Sequence, residues 1–214
     1  MSLPAAPAAP AVQDAAPLTH LLYLHGFRSS PRSFKAQRMQ AWMRQHRPDV
    51  HWWCPQLPPS PREAIALLDQ GTTDWPREGM AVVGSSLGGF YATVMAERLG
   101  CRAALINPAV EPARDLAKYI GEQTAFHDPQ QHFFFRPEFV DELRTLHPSV
   151  LTSPQRYLVL VATGDEVLDW REMAARYAQC QLHVIQGSDH ALSDFDAHLP
   201  RLLEFLGLSG NTRG

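Results

Sequence analysis

Three features that mark whole classes of proteins are scarce in this sequence. Cysteine occurs only at Cys54, Cys101 and Cys180, and these three positions form no CxxC pair and no other metal-ligand spacing. We therefore expect no disulfide scaffold, no metal site and no cofactor. Lys and Arg number 19 against 22 Asp and Glu, so the basic surface that nucleic-acid binding requires is missing. No run of about 18 apolar residues is present, and no membrane span is expected.

The remaining composition is typical of one globular domain. The chain has 214 residues, of which 45% are hydrophobic and 19% charged, enough for a single hydrophobic core. Residues 1–17 consist almost entirely of Ala and Pro and lack the basic and apolar regions of a signal peptide. They predict a disordered tail and a cytoplasmic protein. We assign residues 18–208 to the domain and residues 209–214 to a second tail; the sequence carries no signal for an oligomeric state.

Short apolar segments alternate with helical ones along this domain. The predicted strands are 19–24, 50–54, 79–83, 103–106, 157–162 and 182–185. This alternation is typical of βαβ units and predicts a mostly parallel sheet of about six strands with helices on both faces. Ser30-Pro31 and Ser60-Pro61 predict the N-terminal caps of the first two helices. The alternation lapses over 107–149, a lid-like insertion that is either a mobile lid or a packed surface excursion.

The segment after the third predicted strand contains a G-x-S-x-G pattern, with Ser86 between Gly84 and Gly88. In a nucleophile elbow, such a serine sits on a sharp turn from a strand into a helix, whose N-terminus favours a developing anion. The required strand precedes the pattern and a helical stretch follows it. Ser86 is therefore the candidate nucleophile of an α/β-hydrolase fold. Ser85 is not, because it lacks the flanking glycines; a glycine-rich turn without chemistry is the alternative.

A serine hydroxyl needs a base to take its proton and a carboxylate to orient that base. In α/β-hydrolases these partners follow in the order Ser, Asp or Glu, His. Asp165 follows the fifth predicted strand and His190 follows the sixth, so both belong at the edge where ligands bind in open α/β sheets. We predict Asp165 as the orienting acid and His190 as the base. Glu166 would point away if Asp165 points inward, and Asp189 adjoins His190 too closely to brace its ring.

An oxyanion hole needs two backbone N–H groups directed at the developing charge. Leu87, the residue after the nucleophile, supplies one, and we expect Phe27, in the loop after the first strand, to supply the other. His25 also lies in this loop. Because His190 already fits the role of base, we expect His25 to support the loop by hydrogen bonding.

Five segments together carry a family resemblance: 22–31 (LYLHGFRSSP), 83–91 (VGSSLGGFY), 106–109 (INPA), 163–167 (TGDEV) and 187–190 (GSDH). In combination they resemble the YqiA-type esterases, a family of small bacterial α/β-hydrolases. The resemblance covers the chain from about residue 19 to residue 206. It implies a cytoplasmic carboxylesterase acting on simple acyl esters, with its triad at Ser86, Asp165 and His190. The Ala/Pro tail and segment 127–137 depart from the family pattern, which leaves the acyl-chain preference open.

The sequence therefore predicts a carboxylesterase-type serine hydrolase that cleaves short- to medium-chain acyl esters through a Ser-His-Asp triad and an acyl-enzyme. Two alternatives stay open. The same triad would serve an acyl-CoA or other thioesterase, with the aromatic cluster at 133–135 either lining an acyl pocket or packing as a core patch. A hydrolase-fold protein that binds its ligand without catalysis is the alternative of another class.

Overall fold

A six-stranded parallel sheet forms the centre of the fold. The computed structural model describes residues 16–208, so residues 1–15 of the predicted tail 1–17, and all of the predicted tail 209–214, lie outside the described residues. The strands are β1 (His20–Leu24), β2 (His51–Trp53), β3 (Met80–Ser85), β4 (Arg102–Ile106), β5 (Gly121–Ala125), β6 (Asp128–Phe135), β7 (Tyr157–Ala162) and β8 (Gln181–Ile185). The sheet runs in the order β2-β1-β3-β4-β7-β8 with every neighbouring pair parallel, while β5 and β6 form a separate antiparallel hairpin.

Helices cover both faces of this sheet. They are α1 (Phe34–His46), α2 (Pro61–Gly71), α3 (Leu87–Leu99), α4 (Pro112–Leu116), α5 (Pro137–Leu146), α6 (Trp170–Arg176) and α7 (Phe195–Phe205), with short 3₁₀ turns at Ala117–Tyr119 and Pro154–Arg156. In β1, Leu22 and Leu24 pack toward the face covered by α2 and α3, whereas Leu21 and Tyr23 pack toward α1 and α7. Side chains alternate between the two faces of a strand, so a strand buried on both sides is apolar throughout. The predicted α/β-hydrolase architecture is confirmed.

The predicted start of the first helix at Ser30-Pro31 is wrong. Helix α1 begins at Phe34, and Ser30 instead closes a turn ahead of it. The Ser30 carbonyl accepts the N–H of Ser33 at 3.0 Å, and the Ser30 hydroxyl accepts the N–H of Arg32 at 3.1 Å. A serine before a proline suits a tight turn as well as a helix cap, so the pattern alone could not separate the two.

The second predicted cap lies where the sequence places it. Ser60 caps α2, because its hydroxyl accepts the N–H of Glu63 at 3.2 Å, and Pro61 occupies the first helical position. The missing backbone donor of a proline costs nothing there, since the first N–H groups of a helix have no partner within it.

The insertion over 107–149 consists of α4, the β5–β6 hairpin and α5. In β6 the aromatic side chains alternate: Phe135 is buried, Phe133 is half-buried and Phe134 is exposed. Phe135 packs edge-on against both Phe27 and Phe139. The hairpin therefore connects the loop after β1 to helix α5 through its buried aromatic side.

Among the helices of residues 16–208, none combines the length and the apolar character that crossing a membrane requires.

Candidate active site

Ser86 lies on the sharp turn between β3 and α3, with φ 58° and ψ −122°. A non-glycine residue in such a conformation carries strain of about 1–3 kcal/mol, which the surrounding structure must overcome. Two backbone hydrogen bonds connect the turn to the end of β4 and the loop after it. The Ser86 N–H donates to the carbonyl of Ile106 at 3.0 Å, and the Ser86 carbonyl accepts the N–H of Ala109 at 3.0 Å. The end of β4 and the loop after it therefore hold both of the peptide groups that flank the strained serine.

The glycines around Ser86 are required by close approach of the backbone. A Cβ atom on Gly84 would lie 2.1 Å from the carbonyl oxygen of Gly88, and one on Gly88 would lie 2.0 Å from the carbonyl oxygen of Leu24. Both distances are far inside van der Waals contact. Gly26 has a milder constraint, since its Cβ would lie 3.2 Å from the Cβ of Ser86. The start of α3 can thus pack directly on the ends of β1 and β3.

The structure brings the three predicted residues of the triad together. His190 Nε2 lies 2.9 Å from Ser86 Oγ, and His190 Nδ1 lies 2.7 Å from Asp165 Oδ2. With Nδ1 protonated, the ring donates to Asp165 and its free Nε2 accepts from the serine hydroxyl. The Asp165 side chain is fully buried, and its other oxygen accepts the N–H groups of Val167 and Leu168, each at 2.8 Å. The carboxylate is thereby fixed in position and leaves one oxygen for the histidine.

The position of these residues follows from the strand order. Ser86 follows β3, Asp165 lies beyond β7 and His190 lies beyond β8, all at the carboxyl edge of the sheet. Between β1 and β3 the order reverses, because the chain passes from β1 outward to β2 and then returns to the other side. Ligands bind in the crevice at such a switch point in open α/β sheets. The serine and the loop after β1, with Phe27, both border this crevice.

Two backbone N–H groups at the site have no acceptor among residues 16–208. Leu87 is the first residue of α3, so its N–H has no partner within the helix. Within residues 16–208, neither the Leu87 N–H nor the Phe27 N–H donates to a protein acceptor. The Gly26 carbonyl on the other side of the Phe27 peptide bond accepts a hydrogen bond from the His25 ring at 3.0 Å, which fixes the orientation of that peptide. The pair predicted for an oxyanion hole is thus available for hydrogen bonding.

His25 is a buried histidine that fastens the loop after β1. Its Nδ1 donates to the Gly26 carbonyl, and its Nε2 accepts the N–H of Leu57 at 3.1 Å. Burial lowers the pKa of His25 to about 4, and the charge of His127 acts in the same direction, although the bond to Gly26 opposes them. The ring is therefore neutral near pH 7. These contacts fit the loop-supporting role expected from the sequence.

Asn107 is a buried residue of the site that the sequence did not single out. Its side-chain nitrogen donates to the carbonyls of Asp189 and His190, both at 3.1 Å. Its side-chain oxygen accepts the N–H of Ala162, the last residue of β7, at 2.8 Å. One amide group thus connects the loop that bears the base to the strand that leads to the acid. A sequence signal existed, because Asn107 lies in the INPA segment of the family resemblance, but that segment suggested no role.

Two further side chains hold the loop of His190. Glu166 accepts the backbone N–H of His190 at 3.0 Å, so it contacts the loop and not the imidazole ring. The Lys35 ammonium, from the first turn of α1, donates to the carbonyl of Ala191. Lys35 is 156 residues away from Ala191 in the sequence, so no local pattern could have shown this contact.

No cluster of three potential metal-binding side chains occurs in residues 16–208.

Two cavities open onto Ser86 and His190. The larger, of about 490 Å³, extends toward α1, and its lining combines serine hydroxyls and Lys35 with the rings of Phe27, Phe34 and Phe126. The smaller, of about 150 Å³, extends toward α4. Its lining is mainly apolar, with Ala109, Pro112, Leu116, Val167 and Leu168, but also includes Arg28, Asp115 and Lys118. Phe126, at the turn of the β5–β6 hairpin, borders both. The aromatic cluster at 133–135 contributes to neither lining; Phe133 borders a third cavity that does not reach Ser86.

An elbow serine at the switch point of a parallel sheet, with an acid and a histidine at later strand ends, defines the α/β-hydrolase fold class. The model of one family, described as the uncharacterised protein family UPF0227, matches residues 20–207. The chain therefore belongs to this family. The match confirms the family membership that the five motifs suggested.

Solved structures with the same fold are distant in sequence. The mouse alpha/beta hydrolase domain-containing protein 10 is 16% identical with a TM-score of 0.61, over 87% of this chain and 90% of that one. A structure from work on the metagenome-derived lipolytic enzymes LipS and LipT is 17% identical with a TM-score of 0.63, over 89% and 94%. Est1E from Butyrivibrio proteoclasticus, with ferulic acid bound, is 13% identical with a TM-score of 0.60, over 89% and 90%. At such identities the likeness concerns the fold alone.

Proposed function

We propose that this chain is a carboxylesterase-type serine hydrolase that cleaves short- to medium-chain acyl esters through an acyl-enzyme. The observation that carries the proposal is the continuous hydrogen-bonded line from Ser86 through His190 to Asp165. Chance contacts between a serine and a histidine on a protein surface would not be expected to include a hydrogen bond to a fully buried carboxylate. The neighbouring structure from work on the lipolytic enzymes LipS and LipT agrees with the proposed class of reaction.

In the first half of the reaction, Ser86 Oγ attacks the ester carbonyl carbon while His190 Nε2 takes the hydroxyl proton. Asp165 stabilises the resulting imidazolium through the bond at Nδ1. The Leu87 and Phe27 N–H groups hold the negative oxygen of the tetrahedral intermediate. His190 then gives its proton to the leaving oxygen, so the alcohol departs and the acyl group remains on Ser86.

The second half repeats these steps with water as the nucleophile. His190 removes a proton from a water molecule as the water oxygen attacks the acyl carbon. Collapse of the second intermediate releases the carboxylic acid, and the Ser86 oxygen recovers its proton from His190. The small apolar cavity toward α4 would hold the acyl chain, which supports a preference for short chains.

The two alternatives raised by the sequence have less support. A thioesterase would use the same triad, but the aromatic cluster proposed to line its acyl pocket borders neither of the cavities that open onto Ser86. A protein that only binds its ligand does not require a strained serine within hydrogen-bond distance of an oriented histidine. Rates on matched oxygen esters and thioesters would separate the first alternative from the proposal.

The test compares Ser86→Ala with Ser85→Ala on 4-nitrophenyl butyrate. Ser85 is the adjacent residue and is buried, so its replacement controls for disturbance of the elbow. We expect Ser86→Ala to lower kcat by about 10⁴-fold or more, while Ser85→Ala stays within about tenfold of the parent. Turnover that survives in Ser86→Ala, with the fold verified by circular dichroism, would rule out Ser86 as the nucleophile.

A cytoplasmic location also remains a prediction, which fractionation of the source cells would test.

A further inference from the structure

Lys35 places a cation in the larger of the two cavities beside Ser86. Its side chain lines this cavity together with Ser86 and His190. The lining includes no Asp or Glu, and its other hydroxyl-bearing side chains are Tyr23, Ser29, Ser33, Ser85 and Ser193. The cavity therefore combines one positive charge with several hydrogen-bond donors, next to the atom that attacks the substrate.

The charge of Lys35 has no ion-pair partner within the described residues. Its ammonium donates to the Ala191 carbonyl, and no carboxylate of residues 16–208 forms a salt bridge with it. Asp189 and Asp165 are the acidic residues whose charges raise the pKa of Lys35. Both carboxylates are already bonded, Asp189 to Ser193 and Asp165 to His190. Two of the three ammonium donors thus have no acceptor in the described part of the chain, and a bound anion would supply one.

The environment of Lys35 makes an anionic ligand favourable. Burial lowers the pKa of Lys35 to about 8, while Asp189 and Asp165 partly oppose this shift, so the ammonium is mainly protonated at pH 7. A half-buried cation that lacks a full counter-charge is only partly compensated by solvent. A carboxylate or phosphate oxygen on the ligand would make up that deficit through a charge-assisted hydrogen bond.

We propose that Lys35 forms an anion subsite, and that the substrate is an ester bearing a carboxylate or phosphate group in the larger cavity while its apolar part occupies the smaller one. This inference rests on the proposed function, because it assigns a substrate class to the same serine. Lys35 also touches the loop of His190, and loss of that contact would slow all substrates alike. If Lys35 recognises the substrate, its loss will change the ratio of the rates on charged and neutral esters. If Lys35 only positions the loop, its loss will lower both rates equally.

The experiment uses the full chain and two pairs of esters. In the first pair the acyl side differs: the mono-4-nitrophenyl ester of adipic acid carries a free carboxylate, and the methyl ester of the same compound does not. In the second pair the leaving side differs: 3-butyryloxybenzoate is compared with its methyl ester. We expect the charged member of at least one pair to have a kcat/KM at least about tenfold higher, as one charge-assisted hydrogen bond would give. Matched phosphate-bearing esters distinguish the two kinds of anion.

The variant Lys35→Met should abolish this preference, and Lys35→Arg should retain part of it. Arg32→Met is the matched control, because it removes the same formal charge from an exposed position three residues earlier that does not line the cavity. In Arg32→Met, the ratio of kcat/KM for the charged ester to kcat/KM for the neutral ester should change less than about twofold, since charges in solvent are screened.

Two results would overturn the anion subsite. One is equal kcat/KM values for the charged and neutral members of both pairs. The other is a preference that persists unchanged in Lys35→Met. Neither result touches the proposed function as long as the neutral esters are hydrolysed and Ser86→Ala abolishes that hydrolysis. Absence of hydrolysis of every ester by the parent chain would instead remove the proposed function.

Discussion

The carboxyl edge of the sheet and the β5–β6 hairpin face the same crevice but are held in different ways. At the sheet edge, the residues of the triad lie just beyond the ends of sheet strands, and the side chains of Asn107, Glu166 and Lys35 bond their loops. Asn107 alone makes three hydrogen bonds to the segments that carry Asp165 and His190. The hairpin presents Phe126 to solvent with 72% of its surface exposed.

The hairpin turn is attached to the site mainly through Arg28. The Arg28 side chain donates to the carbonyl of Thr124 at 2.7 Å, and its backbone carbonyl accepts the N–H of Phe126 at 2.8 Å. The guanidinium group lies 4.4 Å from the centre of the Phe126 ring. These contacts place an exposed aromatic ring at the border of both cavities without burying it.

Chemistry and selectivity therefore reside in different parts of this molecule. A proton relay needs atoms held within tenths of an ångström, which strand ends and buried hydrogen bonds provide. Substrate choice depends on the shape of the cavity walls, which loops can vary without disturbing the relay. We therefore expect changes at the sheet edge to act on kcat, and changes in the hairpin to act on KM and chain-length preference.

The largest effect is expected for Asp165→Asn. The amide keeps the shape of the side chain but lacks the charge that stabilises the imidazolium, so kcat should fall by about 10⁴-fold. Glu166→Gln is the control, since Gln also accepts the His190 N–H, and its loss should stay below about tenfold. Steady-state kinetics on 4-nitrophenyl butyrate provide the measurement. Similar losses in the two variants would contradict the assignment of Asp165.

The next effect concerns stability. The pKa of His25 is about 4 in the folded chain against 6.5 for an ordinary histidine, so the unfolded chain binds the proton first as the pH falls. The folded state should therefore lose about 3 kcal/mol between pH 6.5 and pH 4, while the contribution is fully present above pH 6.5. Urea unfolding at several pH values measures the slope. A His25→Ala variant whose stability falls just as steeply over this range would contradict the account.

Asn107→Gly tests the positioning of the two catalytic loops. Glycine tolerates the φ of 41° at this position, so the variant removes the amide without adding backbone strain. We expect kcat to fall by about tenfold with little change in KM, and the pH dependence of kcat/KM to shift because the environment of His190 changes. Thr93→Val is the control, since it removes a buried hydrogen bond to Tyr177 away from the site. A purely structural role would lower stability in both variants and leave the pH profile unchanged.

The smallest effect is expected in the hairpin. Phe126→Ala removes the ring that borders both cavities, so KM for butyrate esters should rise about threefold while kcat stays within twofold. Phe134→Ala is the matched control, because Phe134 is an exposed phenylalanine of the same hairpin that lines neither cavity. An acyl-chain series from acetate to octanoate should change shape only in the first variant. A large loss of kcat in Phe126→Ala would show that the hairpin acts on the chemistry.

The sequence predicted the parts of this structure that local patterns determine. Apolar runs gave the six sheet strands, and the parallel arrangement then required Asp165 and His190 to meet Ser86 at one edge. The hairpin was missed because its strands pair only with each other and carry polar residues such as Glu122, Gln123 and Gln130. Phe133, Phe134 and Phe135 are compatible with a strand, but three adjacent phenylalanines are equally compatible with an aromatic cluster, so they did not indicate the hairpin.

The polar contacts that hold the site could not be predicted. Asn107 reaches the His190 loop over 82 and 83 residues of sequence, and Lys35 reaches it over 156. Such contacts depend on how the finished sheet aligns its loops, and the residue types involved are common on protein surfaces. The turn at Ser30 was misread for a related reason, because its side chain satisfies a nearby N–H in a turn as readily as at a helix start.

The most direct test of the account is to locate the adduct of a fluorophosphonate probe by mass spectrometry. An activated serine reacts with such a probe, whereas an ordinary hydroxyl does not. We predict one adduct per chain, with fragment ions that place it on Ser86 and not on Ser85, and no labelling after heat denaturation. Failure of the folded chain to label, or an adduct on any other residue, would contradict the claim that Ser86 is the nucleophile.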